Sequence, residues 1–430
     1  MSEGQGADAA TGTVAAPDPP ANVLRAPERA VEGRERIEWV RRNMPILASL
    51  EDRFAEERPL AGLRVTVSVH LEAKTAYLAL VLRAAGARVS VCGSNPESTR
   101  DEVAAALAAE GLHVYAERGV DDARLRTNML RALAFRPHLV VDDGGDLVEL
   151  LHEQPELAAA MLGACEETTT GVARARARAA SGSLRFPVLL INDARCKYLF
   201  DNVHGTGQSV WDAIMRTTNL TIAGKTVVVV GFGWCGQGCA LRAAGLGARV
   251  VVCEIDPVKA ADAALRGYTV KPLLAACEEA DLLLTATGVA GTVGDAAFTR
   301  LRDGALLANA GHFWTEIDRR ALFARAVERR RLREQVEGLR MADGRWLHLL
   351  GNGEIVNIAC GDGHPAEIMD TSFALQALSV EHLARHHGEL SATTHPVPEE
   401  IDLQVARAKL AAMRIEIDSP APTAAVGGAG

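Results

Sequence analysis

The sequence predicts an α/β protein made of two doubly wound parallel-sheet units, with a C-terminal segment that returns to the first unit. Three observations carry this. Strand-like apolar runs alternate with helical segments almost throughout. The runs are continuously apolar, as strands covered on both faces require. The alternation begins afresh near mid-chain and leaves helical sequence over after the second round. At 430 residues the chain also exceeds what one hydrophobic core usually serves.

In order, LRVTVSVH, RVSVCGS, LHVYAE and HLVVDD read as strands of the first unit, with KTAYLALVLRAAG and DEVAAALAAEG as helices between them. KTVVVVG, RVVVCEID, DLLLTATG and ALLANAG repeat the pattern in the second. Helical sequence then runs through His387. The Ala-, Gly- and Pro-rich ends lack apolar periodicity and bury too little surface to offset ordering entropy. The expected division is a disordered tail at 1–22, a substrate domain at 23–205, a cofactor domain at 206–363, returning helices at 364–415 and a second tail at 416–430. Ligands are expected in the cleft between domains, near the carboxyl ends of the strands.

A net charge of −9 argues against the clustered basic surface that nucleic-acid binding needs, so no nucleic-acid partner is expected. No apolar run approaches the roughly 18 residues of a membrane span, and the N-terminus has neither the basic start nor the apolar stretch of a signal peptide. A cytoplasmic protein is expected. The eight cysteines form no CxxC or Cys/His cluster, which argues against disulfides and a metal site.

GFGWCGQG places Gly231, Gly233 and Gly236 in GxGxxG spacing between a strand and a helix. The three glycines serve, in turn, a tight turn, close backbone approach to a pyrophosphate, and helix-strand packing, with the phosphates at the helix N-terminus. Glu254, eighteen residues past Gly236, ends the next strand, where a carboxylate accepts from ribose hydroxyls and repels a 2′-phosphate. The motif therefore predicts a Rossmann-like domain that takes NAD rather than NADP.

NDARCKYLFDN, residues 192–202, holds Lys197, one of only six lysines against forty arginines. A lysine beside carboxylates in a cofactor cleft can act as a base if burial and positive neighbours lower its pKa. The plainer alternative is a surface lysine paired with Asp201 one helical turn on.

Together with NMPIL (43–47), DDGGDL (142–147), EETTTGV (166–172), EIDP (254–257), GHF (311–313) and VN…GHP (356–365), this segment resembles the S-adenosylhomocysteine hydrolase family over about residues 36–400. The resemblance implies catalytic roles for Lys197 and Asp201 at the ribose hydroxyls and for Asp143 as a carboxylate base. Glu167 would grip the ribose, and His70 with His312 would serve the 5′ position. It places Thr75, Glu72, Lys74, Thr168, Asn202, His364, Met369 and Phe373 around the substrate. Thr168, Thr169, Thr170, Asn202, Gly231, Gly233, Gly236, Glu254, Asn309 and Asn357 would contact NAD. The implied chemistry is transient 3′-oxidation of a nucleoside, loss of the C4′ proton, elimination at C5′, addition of water and re-reduction. A homo-oligomer, dimer or tetramer, is also implied.

Two departures stand out. The family segment HMTVETA reads HLEAKTA here, so Glu72 and Lys74 replace a threonine and a glutamate that help recognise the base. An ammonium donates where a carboxylate accepts. The end, PAPTAAVGGAG, lacks the lysine- and tyrosine-bearing tail that completes a neighbouring subunit's NAD site. Smaller changes are Cys196, His204, Thr206 and Asp362. Three readings follow: hydrolysis of S-adenosylhomocysteine or a close thioether, dehydration of another nucleoside in antibiotic biosynthesis, and a catalytically silent nucleoside-binding regulator. The retained Lys197, Asp201, Asp143, Glu167, His70 and His312 weigh against the last.

Overall fold

The computed structural model describes residues 19–311 and 314–418. Most of both expected tails, and His312, lie outside the described residues. The last residues of the N-terminal tail are not loose: Tyr115 Oη donates to Pro20 O at 2.7 Å, and Asn22 Oδ1 accepts from Val114 N at 2.9 Å.

The strands are β1 (Arg64–Val69), β2 (Arg88–Gly93), β3 (His113–Tyr115), β4 (Leu139–Asp142), β5 (Gly163–Glu166), β6 (Val188–Leu190), β7 (Thr226–Val230), β8 (Arg249–Cys253), β9 (Thr269–Val270), β10 (Leu282–Thr285), β11 (Leu306–Asn309), β12 (Ala326–Arg333), β13 (Val336–Met341), β14 (Trp346–Leu350) and β15 (Thr394–Pro396). Among the described residues they form two sheets, ordered β15-β6-β5-β4-β1-β2-β3 and β12-β13-β14-β11-β10-β7-β8-β9. The first is parallel throughout. In the second, β7 to β11 and β14 are parallel, while β12 and β13 add an antiparallel edge. The sequence reading did not anticipate that edge. Its Arg-rich run 329–333 lacks the apolar signal of a covered strand, because β12 is exposed along most of its length.

Each sheet is buried on both faces by its own side-chain clusters, which explains the unbroken apolar runs. Order reverses between β1 and β4 in one sheet and between β7 and β10 in the other. A doubly wound sheet opens its ligand crevice at such a point. His70 and Asp143 follow β1 and β4 directly, and Gly231 follows β7.

The C-terminal segment does return to the first unit. The helix Ala366–His386 buries Met369, Phe373 and Leu375 in the core that also holds Val65 and Val67, and β15 pairs with β6. Carboxylates secure it. Asp370 accepts from Ile46 N (3.0 Å) and Leu47 N (2.8 Å) at the start of the helix Pro45–Glu57. Asp402, on the helix Glu399–Ala412, accepts from Arg195 N and Cys196 N, both at 2.9 Å, immediately before the segment that carries Lys197. An anionic side chain at a helix N-terminus satisfies orphan N–H groups and favours the dipole.

Candidate active site

Lys197–Gly205 is a π-helix running directly into the helix Thr206–Thr218. Its wider turn closes i to i+5, so the fourth and fifth residues after Lys197 share its side. Lys197 Nζ lies 3.1 Å from Asp201 Oδ2 and donates to Asn202 Oδ1 at 3.0 Å; a third acceptor, Glu167 Oε1 from the end of β5, lies at 3.4 Å. The ammonium thus makes one hydrogen bond, to Asn202, and has two carboxylates within ion-pair distance. Lys197 is buried, so the surface-lysine alternative fails.

The base reading of Lys197 needs a correction too. Burial alone would lower its pKa, but Asp201 and then Glu167 outweigh that and hold the ammonium above the ordinary lysine value. The charges that chiefly act on it are negative, the reverse of what a lysine base requires. Burial likewise pushes Asp201 up, yet Lys197 and His364 hold it well below the usual carboxylate range. Glu167 is the group left over: burial lifts its carboxyl to about 7, Lys197 opposes this, and Asp201 adds to it. Lys197 is thus a buried cation between two carboxylates, of which Glu167 is the one raised toward neutrality.

The surrounding bonds fix the cluster. Ser372 Oγ donates to Asp201 Oδ2 at 2.7 Å, and His364 Nδ1 stands 2.8 Å from Asp201 Oδ1. Gln376 Nε2 donates to Glu167 Oε2. Asn202 Nδ2 and Thr169 Oγ1 both donate to Asn192 Oδ1, at 3.2 and 3.3 Å. Asp143 Oδ2 accepts from Ser94 Oγ at 2.9 Å and lies 3.6 Å from His70 Nε2. Ser98 Oγ lies 2.8 Å from His70 Nδ1 and 2.9 Å from Asn95 O, which fixes the ring's position.

These groups line a cavity of about 1780 Å³ that continues to the glycine loop. A single small-molecule site runs to roughly 1,000 Å³, so this one holds a dinucleotide and a second ligand. Among its wall atoms Asp143 Oδ1, Glu167 Oε1 and Asn357 Oδ1 are buried without a hydrogen-bond partner. Buried orphans cost free energy unless a ligand satisfies them.

At the loop, Gly231 has φ +95°, which other residues rarely adopt, and a Cβ on Gly236 would collide with Gly231 O. A Cβ on Gly233 would meet no protein atom within 4 Å; that space belongs to the cavity. Glu254 Oε2 accepts from Phe232 N (2.7 Å) and Oε1 from Ile255 N (2.6 Å) and Asp256 N (3.0 Å). These bonds outweigh partial burial and lower its pKa. An open backbone turn, a helix N-terminus and a stable carboxylate at the next strand's end fit NAD.

The remaining expected residues divide. Thr75, Thr168, Thr170, Asn357, His364, Met369 and Phe373 line the cavity. Thr168 is bound to Glu166 and caps the helix Thr169–Ala180, so its hydroxyl is partly spent. Asn309 is fully buried at the end of β11, where its Oδ1 accepts from Thr285 Oγ1 (2.9 Å) and Gly311 N (2.8 Å), tying strand ends together. Lys74 Nζ lies 2.9 Å from Glu72 Oε2 and donates to Asp362 O at 3.1 Å, which leaves one ammonium N–H unspent at the wall. Ser372 and Gln376 escaped the sequence reading. Their signal was available, since Met369, Ser372, Phe373 and Gln376 follow helical i, i+3, i+4, i+7 spacing.

Two switch-point crevices facing one cavity, one built for a dinucleotide and one for a polar, ribose-sized ligand, define an NAD-dependent enzyme acting on a nucleoside-like substrate. Models of the S-adenosyl-L-homocysteine hydrolase and of its NAD binding domain match residues 23–162 and 202–363. The adenosylhomocysteinase of Thermotoga maritima is 50% identical over 387 residues, 90% of this chain and 96% of its own length. The S-inosyl-L-homocysteine hydrolase of Methanopyrus kandleri is 50% identical over 401 residues, 93% and 95% of the two chains. The chain belongs to the S-adenosyl-L-homocysteine hydrolase family, and its cofactor is NAD. No described helix is long and apolar enough to cross a membrane.

Proposed function

We propose that the chain hydrolyses the 5′ thioether of a purine-nucleosyl homocysteine, releasing homocysteine and the nucleoside. The observation that carries this is the buried Lys197 ammonium held by Asp201, Asn202 and Glu167 at the junction of the two crevices. NAD bound at Gly231, Gly233 and Glu254 supplies a reversible hydride acceptor for C3′. The chain's own residues manage protons. Lys197, fixed as a cation, stabilises negative charge on the 3′-oxygen, and Glu167 takes the hydroxyl proton. Asp143, whose Oδ1 lacks a partner, serves as the base at C4′. His70 would serve the 5′ position, giving a proton to the departing sulfur and taking one back from the water that adds. The hydrolase names of the relatives favour this reading over a dehydratase.

The base is the point of choice. Lys74 offers a donor and Glu72 Oε1, which makes no hydrogen bond among the described residues, offers an acceptor. A 6-oxopurine presents O6 as acceptor beside N1–H as donor, which the pair complements with two charge-assisted bonds. This favours S-inosyl-L-homocysteine over S-adenosyl-L-homocysteine. The test is thiol release from both thioethers by the NAD-loaded protein. Release from the inosyl compound at the higher kcat/KM supports both statements, release favouring the adenosyl compound removes only the base preference, and no thiol from either overturns the hydrolase reading.

A further inference from the structure

DDGGDL and EETTTGV each contain two adjacent carboxylates, and the proposed reaction uses only the second of each, Asp143 and Glu167. Asp142 and Glu166 end β4 and β5 and are register partners in that parallel pair. Successive strand residues point to opposite faces. Asp142 and Glu166 thus lie side by side on one face, 0% and 1% exposed, while Asp143 and Glu167 reach the cavity.

Their bonds go to the turns that carry the reactive pair and to the helix Asp146–Glu153 that follows the first of them. Asp142 Oδ1 accepts from Asp143 N at 3.1 Å and Oδ2 from Val148 N at 2.9 Å. Glu166 Oε1 accepts from Gly144 N (3.0 Å), Thr168 N (3.0 Å) and Thr168 Oγ1 (2.8 Å). One oxygen therefore ties the turn after Asp143 to the turn after Glu167. The space is tight, since a Cβ on Gly171 would collide with the Glu166 carboxyl. Neither acid makes an ion pair among the described residues, and the charges that act on each are chiefly other carboxylates. Two like charges buried on neighbouring strands without a cation cannot both persist. Burial, with Asp146 adding to it, pushes Asp142 to about 7, and burial together with the Asp142 charge pushes Glu166 well above the carboxylate range.

We propose that Asp142 and Glu166 are a proton-sharing positioning pair that sets the spacing of Asp143 and Glu167. The shared proton lets both acids stay buried while their oxygens accept the turn amides. The inference rests on the proposed reaction for its kinetic consequence, although not for the shared proton.

Steady-state kinetics and infrared spectra of the NAD-loaded protein test it. Glu166→Ala should lower kcat on the purine-nucleosyl thioether about 100-fold, the loss that a misplacement near 1 Å causes, with KM little changed. Glu166→Gln keeps the accepting oxygen and cannot ionise, so it should recover most of that loss. A protonated-carboxyl C=O band present in the wild type near pH 6, where isolated carboxylates are ionised, should lose the pair's contribution in Asp142→Asn/Glu166→Gln and keep only what the other raised acids, Glu167 and Asp370, contribute. A rise in KM with kcat intact, or Glu166→Gln no better than Glu166→Ala, would overturn the positioning role. An unchanged band in the double variant would overturn the shared proton, even if Glu166→Ala fails to fold. Failure of the wild type to release thiol would instead count against the proposed reaction, because the infrared readout needs no substrate.

Discussion

Gln376 Nε2 donates to Glu167 Oε2 across 209 positions of sequence. The returning helix Ala366–His386 thereby reaches Glu167 from behind, on the same face that sends Ser372 to Asp201. That helix completes the polar cluster around Lys197 as well as covering a sheet.

That bond sets a pH dependence. Glu167 must be ionised to take a proton, so kcat/KM should rise with pH through about 7. Gln376→Leu removes a donor that favours the ionised form, which moves the limb to higher pH, by roughly one unit if the bond is worth the ~1.5 kcal/mol typical of a charged acceptor. A pH-rate profile of the two proteins checks the direction.

Stability of the apoprotein should run the opposite way. Folded-state values are raised for Glu167 (about 7), Asp142 (about 7) and Asp370 (about 6) by burial. Such groups contribute stability below their unfolded pKa near 4 that is lost as pH rises through the folded values. Asp201, depressed by Lys197 and His364, is ionised in both states over that window and adds no slope. Urea denaturation at pH 5 and pH 8 should give the higher midpoint at pH 5.

Lys197→Ala leaves two buried carboxylates without their cation. Formation of NADH on adding substrate should fall by at least about 100-fold, as loss of a preorganised charge at the reacting oxygen does. Rapid-mixing absorbance of the NAD-loaded variant reads this directly, and near-normal NADH formation would remove Lys197 from the chemistry.

The two glycines at the loop separate folding from binding. In Gly233→Ala the new Cβ meets no protein atom within 4 Å, so the melting temperature of the apoprotein should hold while NAD affinity drops about tenfold or more, the methyl filling space meant for pyrophosphate. Gly236→Ala collides with Gly231 O and should lower both. Calorimetry and NAD titration of the pair make the comparison.

At the base end, Glu72→Thr with Lys74→Glu restores an acceptor where a 6-amino group donates. Turnover of S-adenosyl-L-homocysteine should improve relative to the inosyl compound by about tenfold, the scale of one matched hydrogen bond in a buried site. Competition between the two thioethers measures it.

Much of this was written in the sequence. Unbroken apolar runs such as TVVVV can exist only where both faces of a sheet are covered, and GFGWCGQG followed by Glu254 needs only local turn geometry to make a dinucleotide loop. Lys197, Asp201 and Asn202 lie within six residues of one another, so their grouping was legible too. The protonation of Lys197 was not. It depends on burial opposed by Asp201 and also by Glu167, 30 positions upstream, whose own charge depends on Gln376 and on burial that only packing creates. Asn309, spent on Thr285 and Gly311, and the buried pair Asp142 and Glu166 differ from cavity-facing neighbours only in side-chain direction. Sequence alone determined which chemical groups are present and which segments carry them. Tertiary structure decided which of those groups hold a proton and which reach the cavity, because electrostatic environment and side-chain direction are properties of juxtaposed segments that no single stretch contains.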